Sequence, residues 1–196
     1  KRQVYIPHFM SWVVAASIFS MILSPTSAGL VNDVLMKLHL ITDNIYFLGD
    51  QKWWRFSYYI INVWKDTGWG TIIFMATLAG ISPELYEAAS MDGANRFQKM
   101  IYITLPALNN TIVTVLVLNL AKVMNLFESV FVLQNDAVIK VSDVLQTYIY
   151  TQTFNSGAIP DYGYTTAVGM FSSIISCILV LVCNRVSHKT RGRGIV

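Results

Sequence analysis

The polar residues with the most informative spacing lie between two long apolar segments, in the stretch EAASMDGANRFQKMIYITLP at residues 87–106. Glu87 places a carboxylate in the early turns of a predicted helix, where the helix dipole favours acids. Ala88 and Ala89 keep the neighbouring surface low, so that another protein can approach closely. Gly93 can take the left-handed conformation that ends a helix. These residues could support contact with another protein.

The residues around this stretch predict a helix–turn–helix elbow over residues 82–106. Ser82 is a good N-cap and Pro83 suits the first helical position. Asn95 is predicted to cap a second short helix, and Pro106 is predicted to begin the next apolar helix. Because charges cannot stay in hydrocarbon, such an elbow must lie on a membrane face. The residues alone leave open an interfacial elbow that has no partner.

A second group of polar residues lies inside the apolar segments, where ionisable side chains are costly and usually face a cavity or a partner. Lys65 and Asp66 point about 100° apart on a helix, so we expect each to have a separate polar neighbour. A slanted polar stripe is formed by residues that recur every three positions, namely Asn119, Lys122, Asn125 and Glu128. Both sets are open to two interpretations, pairing between helices or the lining of a polar cavity.

The composition indicates a membrane protein. Of 196 residues, 54% are hydrophobic and 13% are charged, and the mean hydropathy is +0.49. A soluble domain normally carries about 25% charged residues. Apolar segments near the roughly 20 residues needed to cross a bilayer are predicted as spans at 5–23, 56–81, 106–127 and 165–184. The predicted fold is therefore all-α, a polytopic transmembrane helix bundle.

The distribution of basic residues predicts the topology, since they concentrate on the cytoplasmic side of a membrane. With the N-terminus inside, the inner segments hold Lys1, Arg2, Arg96, Lys99, Arg185, Lys189, Arg191 and Arg193. The outer segments hold Lys37, Lys52, Arg55 and Lys140. The prediction is N-in and C-in, with the elbow cytoplasmic and residues 26–55 and 128–163 external. The aromatic residues Trp53, Trp54, Tyr58 and Tyr59 are typical of a cluster at headgroup level.

Several kinds of chemistry are excluded or disfavoured. The sequence contains no GxxxxGK[ST] phosphate-binding loop, so we expect ATP to be bound by another chain if it drives the process. No catalytic set of acid, base and nucleophile is visible, and the scattered histidines have no partner at metal-ligand spacing. Cys177 and Cys183 are predicted to be packing residues. The net charge of +3 does not suggest nucleic acid. No cofactor and no metal are expected in this chain.

The elbow residues match a known pattern, in which EAA is followed by three residues, Gly, nine residues and Ile-x-Leu-Pro. The matching positions are Glu87, Ala88, Ala89, Gly93, Ile103, Leu105 and Pro106. This spacing resembles the EAA motif of the transmembrane subunits of binding-protein-dependent ABC importers. Residues 5–14, 64–81 and 131–150 also resemble permeases of multiple-sugar importers, in the branch that carries aldouronates or polysaccharide fragments.

The resemblance covers nearly all of the chain and corresponds to the C-terminal two-thirds of such a permease. It implies the type I permease fold, one permease domain over residues 1–196, and N-terminal spans that are missing from this sequence. One departure is Asn110, where the family often has a second proline. A straighter start of the third span is expected from that change.

The resemblance also assigns roles to residues. The elbow is expected to sit in a groove on a cytoplasmic ATPase subunit through Glu87, Ala88, Ala89, Asp92, Gly93, Leu105 and Pro106. A substrate cavity is expected to be lined by Trp64, Lys65, Trp69, Asn119, Lys122, Asn125 and Glu128. In that cavity the polar residues would hydrogen-bond sugar hydroxyls, and Trp64 or Trp69 would offer a flat face to a sugar ring.

The function predicted from the resemblance is import of oligosaccharides across a bacterial cytoplasmic membrane. The expected partners are a second, non-identical permease, two cytoplasmic ATPase subunits that carry ATP and Mg, an extracytoplasmic sugar-binding protein, and membrane lipid. The chain itself is expected not to be an enzyme. The alternatives are a permease for an amino acid or peptide, a membrane-embedded enzyme, and a channel. Co-purification with an ATPase subunit separates the importer from the last two.

Overall fold

The structure is a computed structural model that describes residues 5–26, 29–155, 157 and 159–191, with side chains as far as residue 187. Every regular element within the described residues is a helix. The helices are α1 (Ile6–Phe9), α2 (Trp12–Ile22), α3 (Leu30–Lys37), α4 (Gln51–Ala79), α5 (Pro83–Met91), α6 (Arg96–Lys99), α7 (Leu105–Val123), α8 (Glu128–Leu133), α9 (Ile139–Ser142), α10 (Leu145–Phe154) and α11 (Tyr162–Arg191). A π-helical turn, Met100–Thr104, joins α6 to α7.

The chain divides into two compact units. The first comprises the described residues of 1–68 and 124–175, and the second those of 69–123 and 176–196. Of the basic residues predicted to be cytoplasmic, Lys1, Arg2 and Arg193 lie outside the described residues, as do the side chains of Lys189 and Arg191.

The core of the first unit is built around α4 and α8. Trp54 is only 3% exposed, stacks on Tyr58 with ring centroids 5.1 Å apart, and donates its indole N–H to the carbonyl of Leu133 at 3.0 Å. The hydroxyl of Tyr58 lies 2.9 Å from that of Ser129. The prediction of a headgroup-level aromatic cluster is therefore wrong for Trp54 and Tyr58. Their polar atoms have partners inside the unit, so the rings are buried at no hydrogen-bonding cost.

The first predicted span, 5–23, is not one helix. α1 ends at Phe9, Met10 is extended, and the hydroxyl of Ser11 accepts the backbone N–H of Val14 at 3.3 Å as α2 begins. A serine that caps a new helix inside an apolar run gives no signal in hydropathy. α2 has 11 residues, about half of what a span requires.

Two helices in the described part of the chain are long and apolar enough to cross a membrane. They run from residue 96 to 123, with 28 residues, and from 162 to 187, with 26 residues. They correspond to the third and fourth predicted spans. α4 is longer still, at 29 residues, but the polar stretch 64–70 in its middle lowers its apolar character.

Candidate functional site

The first arm of the elbow is α5, a helix of nine residues of which none is buried. Ser82 occupies the predicted N-cap position and Pro83 the first turn, but the Ser82 side chain makes no capping hydrogen bond. Glu84 lies in the first turn, where the helix dipole stabilises a negative charge. The start of the arm was predicted correctly, although proline rather than the serine hydroxyl defines it.

Gly93 ends the first arm as predicted, with φ of +78° in the left-handed region. Its N–H donates to the carbonyl of Ser90 at 3.1 Å, and the N–H of Ala94 donates to the carbonyl of Ala89 at 2.9 Å. These two bonds form a Schellman motif, in which Asp92 is the last residue of the helix end. A Cβ on Gly93 would meet nothing within 4 Å. Glycine is therefore required for its conformation and not for space.

Asn95 begins the second arm through a capping box. Its side chain accepts the N–H of Gln98 at 2.9 Å, and the Gln98 side chain accepts the N–H of Asn95 at 2.8 Å. The helix then continues without interruption into α7, so the predicted separate second helix and the predicted start of a new helix at Pro106 are wrong. Proline lacks an N–H and its ring crowds the carbonyl four residues earlier. The π-helical turn just before Leu105 widens the helix there and accommodates Pro106.

Hydrogen bonds link the two arms. The hydroxyl of Tyr86 lies 2.9 Å from that of Thr104, and the ammonium of Lys99 donates to the hydroxyl of Ser90 at 2.5 Å. The Ser90 hydroxyl in turn donates to the carbonyl of Tyr86 at 2.7 Å. The angle between the arms is thus held by contacts within the elbow itself.

Most of the predicted docking residues are exposed on the surface of the elbow. Glu87, Ala88, Asp92, Gly93, Leu105 and Pro106 are exposed, and Ala89 is half-buried. Within the described part of the chain, the Glu87 carboxylate has no hydrogen bond or ion pair. Large apolar side chains accompany it, since Met91 is 89% exposed and Leu85 is also exposed. The exposed surface of the elbow therefore combines a free acid, small residues and apolar side chains.

The structure places Lys65, a predicted cavity residue, between helices of the first unit. Lys65 is 5% exposed, its ammonium donates to the carbonyl of His8 at 3.0 Å, and it lies 5.1 Å from the ring centroid of Trp12. Asp66 is exposed and its carboxylate lies 3.6 Å from Nδ1 of His8. Lys65 thus contacts the backbone of His8, and Asp66 contacts the ring of the same residue. This arrangement favours the pairing interpretation of Lys65 over the cavity interpretation.

Trp64 and Trp69 are both partly exposed on α4. The ring of Trp64 contacts the ring of Phe19 edge to face at a centroid distance of 5.1 Å. It also lines an apolar groove of about 350 Å³, together with Phe56, Tyr59, Ile60 and Val63. Trp69 belongs to the second unit. The Trp64 ring therefore contacts Phe19 and also lines the apolar groove.

The polar stripe predicted on the third span is not continuous, because α7 ends at Val123 instead of continuing to 127. Asn119 and Lys122 are exposed on α7, Asn125 lies in the following turn, and Glu128 is exposed in the first turn of α8. The carbonyl of Met124 accepts hydrogen bonds from distant side chains, Gln146 at 3.3 Å and Ser172 at 3.4 Å. These partners satisfy the helix end, and they cannot be read from the local sequence.

Asn125 adjoins an open groove in the first unit. Its Oδ1 accepts a hydrogen bond from Nε2 of Gln146 at 3.3 Å. The groove has a volume of about 560 Å³ and is lined by Gln146, Thr166, Gly169, Met170, Ser173 and Ile174. Amide and hydroxyl groups of this kind can donate to and accept from the hydroxyls of a polar ligand.

The comparisons with known proteins support the family that the elbow motif resembles. The sequence matches, over residues 3–192, the family described as binding-protein-dependent transport system inner membrane component. The chain belongs to this family. The predicted EAA-motif resemblance and the predicted permease identity are thereby confirmed at the level of the family.

Named relatives of this inner membrane component include two proteins of Bacillus subtilis (strain 168). Protein LplB is 40% identical over 193 residues, which are 98% of this chain and 59% of LplB. The polygalacturonan/rhamnogalacturonan transport system permease protein YteP is 39% identical over 98% of this chain and 58% of its own length. The chain thus spans about three-fifths of the length of these relatives.

Solved structures confirm the fold class. A chain from the crystal structure of a bacterial ABC transporter involved in the import of the acidic polysaccharide alginate superposes with a TM-score of 0.89 at 36% identity, covering 96% of this chain and 64% of that chain. A chain from the alginate transporter in complex with an alginate pentasaccharide-bound periplasmic protein gives 0.90 at 35%, covering 98% and 65%. The all-α prediction and the type I permease fold are confirmed.

Several residues that shape the elbow and the groove carry a weak signal, or none, in the sequence. Tyr86 and Ser90 are four residues apart, so their shared face on α5 was available as a signal. Their partners Lys99 and Thr104 are five apart, a spacing that aligns only across a π-helical turn, and this turn was not expected. Gln146 carries no local signal at all.

One titration shift accompanies the first unit. The pKa of Tyr148 is raised, first because its hydroxyl is hydrogen-bonded with that of Tyr164 at 3.3 Å. No cluster of three or more His, Cys, Asp or Glu side chains suited to a metal ion occurs among the residues that the structure describes.

Proposed function

We propose that this chain forms most of one transmembrane subunit of an ABC importer that carries oligosaccharides across a bacterial cytoplasmic membrane. The chain would contribute the translocation path, and partner subunits would bind ATP with Mg and hydrolyse it. The single observation that carries the proposal is the self-braced elbow at residues 82–106, whose outward surface has a free carboxylate at Glu87. The family match and the polysaccharide-related names of the relatives support it.

The elbow is proposed to dock in a groove on a cytoplasmic ATPase subunit. Because hydrogen bonds between its arms fix its shape, a force applied to α5 would reach α7 without being lost in bending. Rigid-body transmission of this kind is one of the known ways of coupling two faces of an assembly. Glu87 would supply the charged contact, and Gly93 would supply the bend.

The proposed topology is multi-pass with both ends of the chain in the cytoplasm. Its basis is the excess of lysine and arginine at the two chain ends and in the elbow. Residues 26–55 and 128–163 would then face outward. There they would meet an extracytoplasmic sugar-binding protein, in keeping with the periplasmic protein present in the alginate complex. A second permease, not identical to this one, would complete the path for alternating access.

The docking proposal is tested by a charge reversal on the elbow. Glu87→Lys places a cation where an acid is expected to contact the ATPase subunit, and we expect loss of the co-purifying ATPase and loss of uptake. The matched control is Glu84→Lys, an exposed acid on the same helix that lies outside the motif. Both variants should insert in the membrane in normal amounts. Equal ATPase recovery and uptake in the two variants would show that Glu87 is not the docking contact.

Relatives named for acidic polysaccharides are more similar in sequence to this chain than a relative named for a neutral oligosaccharide, which favours an acidic oligosaccharide as the substrate. The polygalacturonan/rhamnogalacturonan permease and the alginate transporter chain are 39% and 36% identical to this chain, whereas the arabinooligosaccharide permease protein AraP of Bacillus subtilis is 31% identical. We propose that Lys122, whose side chain is exposed on α7, meets a sugar carboxylate. A hydrogen bond to a charged group contributes more than one between neutral groups.

The substrate proposal is tested with a matched pair of sugars, a uronic acid trisaccharide and the neutral trisaccharide made by reducing its carboxylates. Lys122→Gln should raise the apparent KM for the acid by about tenfold and leave the neutral sugar unchanged. Lys140→Gln, an exposed lysine on α9, is the control. An equal effect on both sugars would indicate a structural role for Lys122. Transport of an amino acid or peptide and of neither sugar would favour the alternative solute.

The other rivals make separate predictions. A membrane-embedded enzyme would convert substrate in the absence of any ATPase subunit. A channel would pass solute without ATP hydrolysis. Uptake that requires a co-purifying ATPase excludes both.

A further inference from the structure

The interruption between α1 and α2 leaves backbone groups that need partners. Met10 has ψ of 142° and breaks the helix, and Ser11 caps the new one. Irregular backbone at membrane depth is tolerated only where protein or a water-filled cavity satisfies its polar groups. The backbone polar groups at this break must therefore find partners elsewhere in the protein.

A single lysine of α4 contacts both sides of the break. The ammonium of Lys65 donates to the carbonyl of His8 on the α1 side at 3.0 Å. It also lies 5.1 Å from the ring centroid of Trp12, the first residue of α2. A carbonyl at a helix end lacks an intrahelical partner, and a cation over an indole face is attracted by the ring. One charged group of α4 thus contacts both α1 and α2.

The neighbours of Lys65 strengthen this attachment. Asp66 lies 3.6 Å from Nδ1 of His8, and the ring of Trp64 contacts that of Phe19 on α2. Residues 64–66 therefore contact α1 and α2 from three consecutive positions of α4.

The choice of lysine at this place is informative. Lys65 is almost fully buried, and no carboxylate among the described residues forms an ion pair with it. Burying a charge is costly, and an apolar side chain of similar volume often gives equal or higher stability. A buried lysine that is held by a carbonyl and an aromatic face is therefore explained better by the positioning of particular groups than by stability.

We propose that Lys65 is a positioning residue that makes the α1–α2 break a fixed joint on α4. α4 runs on to Ala79, which is three residues before the elbow residue Ser82 in the sequence. Movement that enters α4 from the elbow would then be passed to both half-helices together. Without the lysine, α4 would move while α1 and α2 lag behind it. The transport readout of this proposal rests on the proposed function, but the joint itself does not.

The joint is tested directly by the distance between spin labels at Phe9 on α1 and Val63 on α4, both exposed. The labels are placed in a background with Cys177→Ser and Cys183→Ser, in the full subunit as it is purified from the membrane, with whichever partner subunits it retains. Lys65→Met keeps the volume and removes the charge, and it should broaden the distance distribution. Lys65→Arg keeps a cation that donates and stacks, and it should restore a narrow distribution. Lys37→Met, at an exposed lysine paired with Asp33, is the control and should change nothing.

Coupling provides the second readout. Lys65→Met should lower the sugar taken up per ATP hydrolysed by about tenfold, and Lys65→Arg should remain within about twofold of the original. Trp12→Leu should act in the same direction as Lys65→Met, and the double variant should be no worse than Lys65→Met alone, because both remove one joint. Trp12→Phe keeps an aromatic ring and should lower the sugar taken up per ATP less than Trp12→Leu does.

Two results would overturn the proposal. One is an unchanged label distribution in Lys65→Met. The other is a lower yield of complex with normal sugar uptake per ATP, which indicates packing alone. Failure of the proposed function is distinguishable, since the unsubstituted complex would then show no coupled uptake while the label distances still report on the joint.

Discussion

The elbow and the polar residues predicted to line a cavity are organised in opposite ways. The elbow is contiguous in sequence, and its shape is set by bonds between residues at most 18 positions apart, such as Tyr86 with Thr104. The cavity residues are spread over α4, α7, a turn and α8, and the two compact units share them. The elbow is therefore formed by one contiguous stretch of the second unit, whereas the predicted cavity residues belong to several elements of both units.

The two regions also differ in how their polar groups are used. In the elbow, internal hydrogen bonds involve Tyr86, Ser90 and Lys99, and Glu87 is left free for a partner. Among the cavity residues, Lys65 is already engaged with His8, and Asn125 with Gln146. A polar side chain inside an apolar segment is thus no guide to ligand contact until its own partners are known.

The largest expected effect comes from breaking the bend of the elbow. Gly93→Pro fixes φ near −65°, far from +78°, and removes the N–H that donates to Ser90. We expect uptake to fall by about a hundredfold or more, with the subunit still inserted in the membrane. The measurement is uptake per inserted complex.

Gly93→Asn is the matched control for that experiment. Asparagine tolerates the left-handed region better than other residues with a side chain, and a Cβ at this position meets no atom within 4 Å. It should keep most of the uptake. Normal uptake with proline would mean that the bend is not needed for coupling.

A smaller effect is expected from loosening the arms without changing the bend. Tyr86→Phe combined with Lys99→Met removes both inter-arm hydrogen bonds, each contributing about 0.5–1.5 kcal/mol. ATPase stimulation by substrate should fall by about tenfold, and ATPase binding should fall less, because the docking surface is unchanged. Each single variant should give part of the loss. Stimulation that is unaffected in the double variant would show that docked ATPase subunits hold the elbow without these bonds.

The parts of the fold that could be predicted are those set by local chemistry. Gly93 lacks a side chain and so adopts the left-handed conformation of the turn. The Asn95 side chain caps the helix that starts next to it. Both effects act within a few residues, so the sequence is enough to predict the turn. The break at Met10 could not be predicted, because it lies in a continuous apolar run and Lys65, which contacts both sides of it, is more than 50 positions away. The end of α7 at Val123 was missed for the same reason, since Gln146 and Ser172 satisfy Met124 from distant helices.

The smallest expected effects separate two members of the predicted stripe. Asn119 is exposed on α7, whereas Asn125 is bonded to Gln146 beside the open groove. If both contact sugar, Asn119→Ala should raise the apparent KM by about two- to tenfold, the equivalent of one hydrogen bond.

Asn125→Ala should change KM less, because Gln146 remains at the groove and can replace the lost amide. Its alternative role is structural, and in that case it would lower the yield of assembled complex while sugar preference stays the same. Kinetics on purified, assembled complex that still hydrolyses ATP decide between the two roles. Gln146→Ala provides the sharper comparison, since it removes the hydrogen bonds to both Asn125 and Met124. Unchanged KM in all three variants would assign these side chains to helix packing and would leave Lys122 as the remaining candidate for sugar contact on α7.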